Sequence, residues 1–350
     1  MHHTAYFRVD RQHPDPCILA QLADILRRGG LVAFPTETVY GLGANGLDER
    51  AVAGIYRAKG RPADNPLILH ISDRCGVDKL ARTIPPNARV LMETYWPGPL
   101  TVVLKRTRAV PDIITAGLDT VAIRLPASRV ACELIQLAGV PIAAPSANTS
   151  GRPSPTNAQD VLADMDGRIA AILDAGPCDI GVESTVVDCT TPVPTILRPG
   201  GITLESLRAT LGEVELDAAL RDLEHGVPRA PGMKYTHYAP AAPMTLVEGE
   251  PRQRAAKIRQ LVATALADGQ RTGAVVSAET AICLPPETLL AVYGSWQEPE
   301  AIAANLYSVL RKFDAAPVDI IFAEGTREEG LGLAVMNRLR KAAGYRIIKA

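Results

Sequence analysis

The sequence predicts a two-domain α/β (α+β) protein: a twisted mixed sheet with flanking helices, then a smaller Rossmann-like α/β domain. Three observations carry this. The chain has 350 residues, more than one ordinary domain holds and suited to two. Through residue 212, short apolar strands mix with helical patterns without strict βαβ alternation, which favours a mixed sheet over a simple doubly wound one. Residues 213–242 are irregular and end in the Gly-, Pro- and Tyr-rich run APGMKYTHYAPAAP, after which 243–350 alternates strand and helix more cleanly. The expected division is therefore a mixed-sheet domain over 1–212, a linker over 213–242 and a second α/β domain over 243–350.

The elements follow from local chemistry. Asp15-Pro16 is a capping residue followed by a proline at the first helical position. Ile18, Leu22, Ile25 and Leu26 then recur at helical spacing until Gly29-Gly30 stops the helix. Leu31 to Phe34 is a short strand ending at Pro35. Asp48 caps a second helix that points Val52, Ile55 and Tyr56 inward. Further strands are expected at 67–72, 100–105, 120–125, 140–144, 171–173, 184–189 and 195–197, and helices near 86–95, 128–138, 157–164 and 203–211. In the tail, strands are expected at 244–247, 273–277, 289–293 and 318–323. Helices there carry Ile258, Leu261, Val262 and Leu266, and then Ile302, Leu306, Val309, Leu310 and Phe313.

Composition narrows the function. Hydrophobic residues are 47% and charged residues 21% of the chain, enough for a packed core. The net charge of −1 and an aromatic content of 4% offer neither a strong pull on nucleic acid nor a base-stacking surface. Six cysteines without CxxC spacing suggest neither a zinc ribbon nor a disulfide framework. No stretch approaches the length of a membrane span, and MHHTAYFRVD lacks an apolar signal core, so a cytoplasmic location is expected.

Five segments could carry chemistry. PTETVYGLG, Pro35 to Gly43, clusters Thr36, Glu37, Thr38 and Tyr40 where a strand ends, the usual place for a site in such sheets. KGRPADNPLILH, Lys59 to His70, offers a point charge and a bidentate fork suited to phosphate oxygens. LDTVAIRLP, Leu118 to Pro126, puts Val121, Ile123 and Leu125 on one strand face and Thr120, Ala122 and Arg124 on the other. An arginine in mid-strand needs an anion, either a substrate carboxylate or an internal Asp or Glu. APSANTSGRPSPT, Ala144 to Thr156, combines hydroxyls and backbone amides into a possible nucleotide cradle, without Walker A spacing. GVESTVVDCT and ILRPGGIT place Ser184, Val186 and Asp188 on one face and Arg198 before a Pro-Gly-Gly turn. Each segment alone has an ordinary structural reading as a polar turn, a solvated cation pair or a core strand. No G-x-S-x-G elbow and no HExxH motif is present.

In this order and wording, PTETVYGLG, KGRP with DNPL, GLDTVAIR, PSAN with SGRPSPT, GVESTVVD and LRPG resemble the YrdC-like threonylcarbamoyl-AMP synthase family. PGMKYTHYAP and the late TREEGLGLAVMNRLRKAA segment look like the longer, two-domain members. The resemblance implies an enzyme that joins L-threonine, bicarbonate (or CO2) and ATP into threonylcarbamoyl-AMP and pyrophosphate. Separate proteins would then transfer the threonylcarbamoyl group to adenosine next to the anticodon of tRNA, with no tight tRNA binding by this chain.

By motif position the resemblance implies that Thr36, His70, Arg124, Ala144 and Ser184 hold threonine. Lys59, Arg61, Asn65, Thr120, Ser146, Ser154 and Arg198 would hold ATP, with Tyr235 and His237 of the linker reaching over it. Lys59, Arg61 and Arg124 would be the residues central to catalysis, with Mg2+ on the phosphates and no dedicated protein metal site. Two other readings compete. A YrdC-like RNA- or nucleotide-binding module would lack synthesis. A carbamoyl-transfer protein of hydrogenase maturation would carry zinc-finger-like cysteine pairs and an acylphosphatase-like region, and neither is visible.

Overall fold

Helix starts and stops are fixed by side chains close in sequence. In the computed structural model, which describes residues 3–220, 238–316 and 318–350, the Asp15 carboxylate accepts from the Cys17 amide and begins α1 (Pro16–Arg27). Asp48 accepts from the Arg50 and Ala51 amides and begins α2 (Glu49–Lys59), which Gly60 ends in a left-handed conformation at φ 61°. Helices of eight residues or more continue as α3 (Pro86–Tyr95), α4 (Arg129–Ala138), α5 (Ala158–Met165), α6 (Leu204–Leu211), α7 (Pro251–Ala267), α8 (Pro299–Ala315) and α9 (Gly332–Ala342).

Two compact units result. Among described residues the first holds 3–150, 154–179 and 183–220; the second holds 238–350 with the short segments 151–153 and 180–182. The first unit is built on β1 (Ala5–Arg8), β2 (Val32–Phe34), β3 (Gly41–Asn45), β4 (Ile68–His70), β5 (Leu100–Lys105), β6 (Thr120–Arg124), β7 (Ile142–Ala143), β8 (Ala171–Asp174), β9 (Thr185–Asp188), β10 (Thr195–Arg198) and β11 (Glu215–Leu216). They form one sheet in the order β1-β8-β2-β3-β7-β4-β6-β5-β9-β10-β11. Parallel pairs such as β4 with β6 sit beside antiparallel ones such as β5 with β6, so the sheet is mixed as expected.

The period of two along each strand sorts side chains between layers. Val32 and Phe34 face a core built with Leu19, Leu22 and Leu26 of α1 and Val130, Leu134 and Ile135 of α4. Ala33 instead joins a second core, with Val52 and Ile55 of α2, Leu91 of α3, Val161 of α5 and Leu207 of α6. A third, small cluster, Ile68, Val103, Ala122, Val186 and Leu197, contains strand residues only. That face positions the site.

The second unit has β12 (Met244–Glu248), β13 (Thr272–Val276), β14 (Leu289–Val292), β15 (Ile320–Glu324) and β16 (Ile347–Lys349), in the order β14-β13-β15-β12-β16 with all pairs parallel. Its core packs Ile258 and Val262 of α7 on Val247, Ala274, Val276 and Phe322. Glu324, fully buried at the carboxyl end of β15, accepts from the Ser277 amide and hydroxyl and from the Trp296 indole, which satisfies its charge-bearing oxygens.

Some elements were not expected from the sequence. The end of PTETVYGLG is not a turn throughout: Gly41 begins β3, which pairs with β2 through Phe34 and Gly41. Gly43 is tolerated in a strand because a Cβ there would come within 2.8 Å of the Phe34 ring. Strand β1, with polar residues at alternate positions, and the short β11, within the expected linker segment, pair at the two edges of the sheet.

Candidate functional site

Strands β4, β5 and β6 and the residue just before β9 deliver polar side chains beside the strand-only cluster, on the sheet side that α1 and α4 cover further along. His70 lies two residues beyond Ile68, Thr101 two before Val103, Arg124 two beyond Ala122 and Ser184 two before Val186. Each therefore projects with the strand-only cluster. The register makes them neighbours: His70 is paired with Arg124, Arg124 with Thr101, and Thr101 with Val186. All four side chains are buried, at 3% or less relative exposure.

Arg124 is held on three sides. Its Nε donates to the Gly98 carbonyl at 3.3 Å and its Nη1 to Thr38 Oγ1 at 2.9 Å. Its Nη2 stands 2.7 Å from Glu37 Oε1. That approach is an ion pair without hydrogen-bond alignment, so both Nη2 and the Glu37 oxygens retain hydrogen-bonding capacity. Of the two partners foreseen for a mid-strand arginine, the protein itself supplies the internal carboxylate.

The loop after β2 sets this up. Thr36 Oγ1 donates to the Val39 carbonyl at 2.7 Å and accepts from the Thr38 amide at 3.1 Å, a local turn that turns Thr38 to Arg124. Ala144 follows β7, and its amide bonds the Ile68 carbonyl on the neighbouring strand. His70 is pressed against Phe34 edge-on at 6.5 Å. Burial first, and then the Arg124 charge, hold its imidazole down to about 3, so it is neutral near pH 7. Its Nδ1 has no partner in the protein.

Arg198 reaches the same face through a bulge. Between Ile196 and Arg198 the β9–β10 register shifts, which re-aims the side chain. Its Nη2 donates to the Ser184 carbonyl at 3.0 Å and to Ser184 Oγ at 3.1 Å, while Ser184 Oγ and Thr101 Oγ1 lie 2.7 Å apart. The following turn has no room for a side chain: a Cβ on Gly200 would lie 2.2 Å from the Glu183 carbonyl oxygen.

A second group gathers around the end of α2. Lys59 is almost fully buried, and its Nζ donates to the carbonyls of Ser146 and Asn148, both at 2.5 Å. Ser146 Oγ bonds Asn148 Oδ1 at 2.5 Å. The buried ammonium thus organises the serine-rich loop. Ser154, further along it, donates to Glu183 Oε1 at 2.7 Å. Arg61 donates to the Asn65 and Pro66 carbonyls. Asn65 is completely buried, yet neither its amide nitrogen nor its amide oxygen has a protein partner.

Thr120 stands apart from Arg124, at the other end of β6, about 13 Å away at strand rise. It lines a narrow crevice with Pro66 and Thr115, next to Asn65. Of the residues expected to hold threonine, Thr36, His70, Arg124, Ala144 and Ser184 thus lie in one zone, joined by Arg198, which was expected with the nucleotide; Lys59 and Ser146 gather at the end of α2 with Arg61, Asn65 and Thr120 beyond it, and Ser154 is bonded to Glu183. Tyr235 and His237 lie outside the described residues. Sequence reasoning did not assign roles to Glu37, Thr38 or Thr101. The signal for Thr101 was present, since LTVVLK carries one polar side chain inside an apolar strand.

No group of three or more His, Cys, Asp or Glu able to hold a metal is found among the described residues. Around Arg61 and the serine-rich loop stand cations, hydroxyls and carbonyls, with the carboxylates of Glu183 and Asp164 bonded to Ser154 and to the Thr149 amide. No helix among the described residues is long and apolar enough to cross a membrane.

Residues 24–200 match the family model of the Sua5, YciO and YrdC proteins, described as telomere recombination, and residues 202–344 match one described as the C-terminal domain of threonylcarbamoyl-AMP synthase. The threonylcarbamoyl-AMP synthase of Pyrococcus abyssi is 51% identical over 93% of this chain and 94% of its own length. That of Bacillus subtilis is 49% identical over 96% and 95%. A crystal structure of P. abyssi Sua5 complexed with L-threonine superimposes with a TM-score of 0.95 at 48% identity, covering 99% of this chain and 100% of that one.

Proposed function

This chain belongs to the threonylcarbamoyl-AMP synthase family, and we propose that it condenses L-threonine, bicarbonate and ATP into L-threonylcarbamoyl-AMP with release of pyrophosphate. The observation that carries the reading is the convergence of His70, Arg124, Ser184 and Arg198, far apart in sequence, beside one strand-only cluster of the sheet, in a chain whose relative of the same fold has been crystallised in complex with L-threonine.

The chemistry follows from what these groups can do. The neutral amine of threonine attacks bicarbonate, with loss of water, or CO2, with loss of a proton, to give a carbamate. A carbamate oxygen then attacks the α-phosphorus of ATP, and pyrophosphate leaves. Arg124, pre-paired with Glu37, offers its remaining donor capacity to the threonine carboxylate, with Ala144 and Thr36 beside it. Neutral His70 presents an acceptor at Nδ1 for the threonine hydroxyl. Asn65, with an unpartnered donor and acceptor, suits the edge of a nucleotide base, and Thr120 borders the same zone. Lys59 and Ser146 shape the loop that, with Ser154, would cradle phosphates, and Arg61 and Arg198 would stabilise charge on the departing pyrophosphate.

Rate arises from positioning and charge stabilisation, with no covalent enzyme intermediate. Mg2+ supplies charge neutralisation on the phosphates when bound. Tyr235 and His237 are proposed to close over the nucleotide and keep water from a mixed anhydride. The product serves a cytoplasmic tRNA-modifying reaction carried out by separate transfer proteins, without tight tRNA binding here.

Pyrophosphate release by the purified protein with ATP and Mg2+ tests this. Release should require both threonine and bicarbonate and should fade in Arg124→Ala. Release indifferent to threonine, or none, moves the assignment to a nucleotide-binding module without synthesis.

A further inference from the structure

Beyond the catalytic face, the first unit carries a second cationic recess. Arg50 and Arg57 lie seven residues apart on α2, hence on one helix face. With Arg168, they rim a depression of 470 Å³ whose wall also includes Gly29, Leu31, Gly54 and Ala58. Leu31 precedes β2 whereas Thr36 follows it, so the recess and the amino-acid zone lie at opposite ends of that strand.

All three arginines are exposed, and none has a carboxylate within ion-pair distance among the described residues. Other arginines of the same unit do: Arg11 pairs with Asp179, Arg27 with Asp24, Arg82 with Asp119 and Arg106 with Asp112. The carboxylate beside the recess, Asp48, lies 3.4 Å from where a Gly29 Cβ would stand, and it is committed to the Arg50 and Ala51 amides. Arg168 is oriented by weak contacts to the Ala58 carbonyl at 3.5 Å and Thr149 Oγ1 at 3.4 Å.

We propose that this recess binds a nucleoside phosphate outside the catalytic site. Three guanidinium forks converging without carboxylates match phosphate oxygens. The volume exceeds what one phosphate fills, and Leu31, Ala58 and the bare Gly54 give an apolar wall for the attached sugar and base. The nucleoside phosphate comes either as a free nucleotide or as part of an RNA strand.

Two titrations on the full chain distinguish these sources, comparing wild type with Arg50→Gln/Arg57→Gln/Arg168→Gln. In the first, ADP stoichiometry is read by calorimetry. In the second, a short unstructured oligoribonucleotide is titrated by fluorescence anisotropy at two salt concentrations. The triple variant should keep threonine-dependent pyrophosphate release, which also shows that it folds. Loss of one ADP equivalent assigns the recess to free nucleotide. Oligonucleotide binding weakened roughly tenfold or more, with a shallower salt dependence, assigns it to a strand. The triple Arg→Lys variant should fall between wild type and the Gln variant, because it keeps charge and loses the fork. Unchanged binding in both titrations overturns the proposal.

Discussion

Arg124 and Glu37 form a buried pair, Nη2 to Oε1 at 2.7 Å, with side-chain exposures of 4% and 10%. The arginine's charge is thus balanced within the protein itself. In the synthase reading, a zwitterionic amino acid would enter without leaving a net buried charge, its carboxylate towards Arg124 and its ammonium within the field of Glu37.

Removing one member of the pair strands the other. Glu37→Ala is expected to cost about 3–5 kcal/mol of stability, because an uncompensated guanidinium stays in the sheet. Glu37→Leu with Arg124→Met should recover most of that loss while abolishing threonine-dependent pyrophosphate release. Urea unfolding checks the first part and the activity assay the second. A Glu37→Ala protein as stable as wild type would show that the pair does not carry charge balance.

His70 gives a pH signature. Its folded value, about 3, lies below the ordinary 6.5, so the unfolded chain binds the proton first. The contribution is therefore complete above pH 6.5 and is lost as pH falls towards 3. The slope is about 1.4 kcal/mol per pH unit while the unfolded histidine is protonated and the folded one is not. His70→Gln should flatten the stability profile over that window relative to wild type. Superimposable profiles from denaturant titrations at several pH values would contradict the assignment.

Ser184 joins two strands' worth of polar groups. Ser184→Ala leaves Thr101 and Arg198 each one partner short and should cost about 1–3 kcal/mol. In the synthase reading it also raises the KM for threonine more than that for ATP. Equal effects on both substrates would place Ser184 outside the amino-acid zone.

Gly200 is required by space. A methyl group there would overlap the Glu183 carbonyl oxygen at 2.2 Å and the Ser184 carbonyl carbon at 2.4 Å, backbone atoms that cannot turn aside. Gly200→Ala is expected to lose about 1–3 kcal/mol and to displace Ser184, so thermal midpoint and activity should fall together. A stable, inactive protein would instead indicate a direct effect on substrate.

The sequence by itself determined most elements of the first unit and the type of its sheet, because capping residues, glycine stops and apolar periods are local signals; β1, β3 and β11 were not among them. Asp15 and Asp48 each start the helix their sequence context indicates. It also determined which strand face would carry Arg124, since a period of two needs no tertiary knowledge. Strand β3 was hidden because its glycines, which make room for Phe34, read as turn residues.

Only the tertiary structure decided the partners. That Arg124 meets Glu37 depends on a loop folding back 87 residues earlier in the chain (124 − 37). That Arg198 meets Ser184 depends on a bulge that alternation alone would have placed on the opposite face. Long-range pairing is set by register and by the burial of charge, and neither is a property of any short segment of sequence.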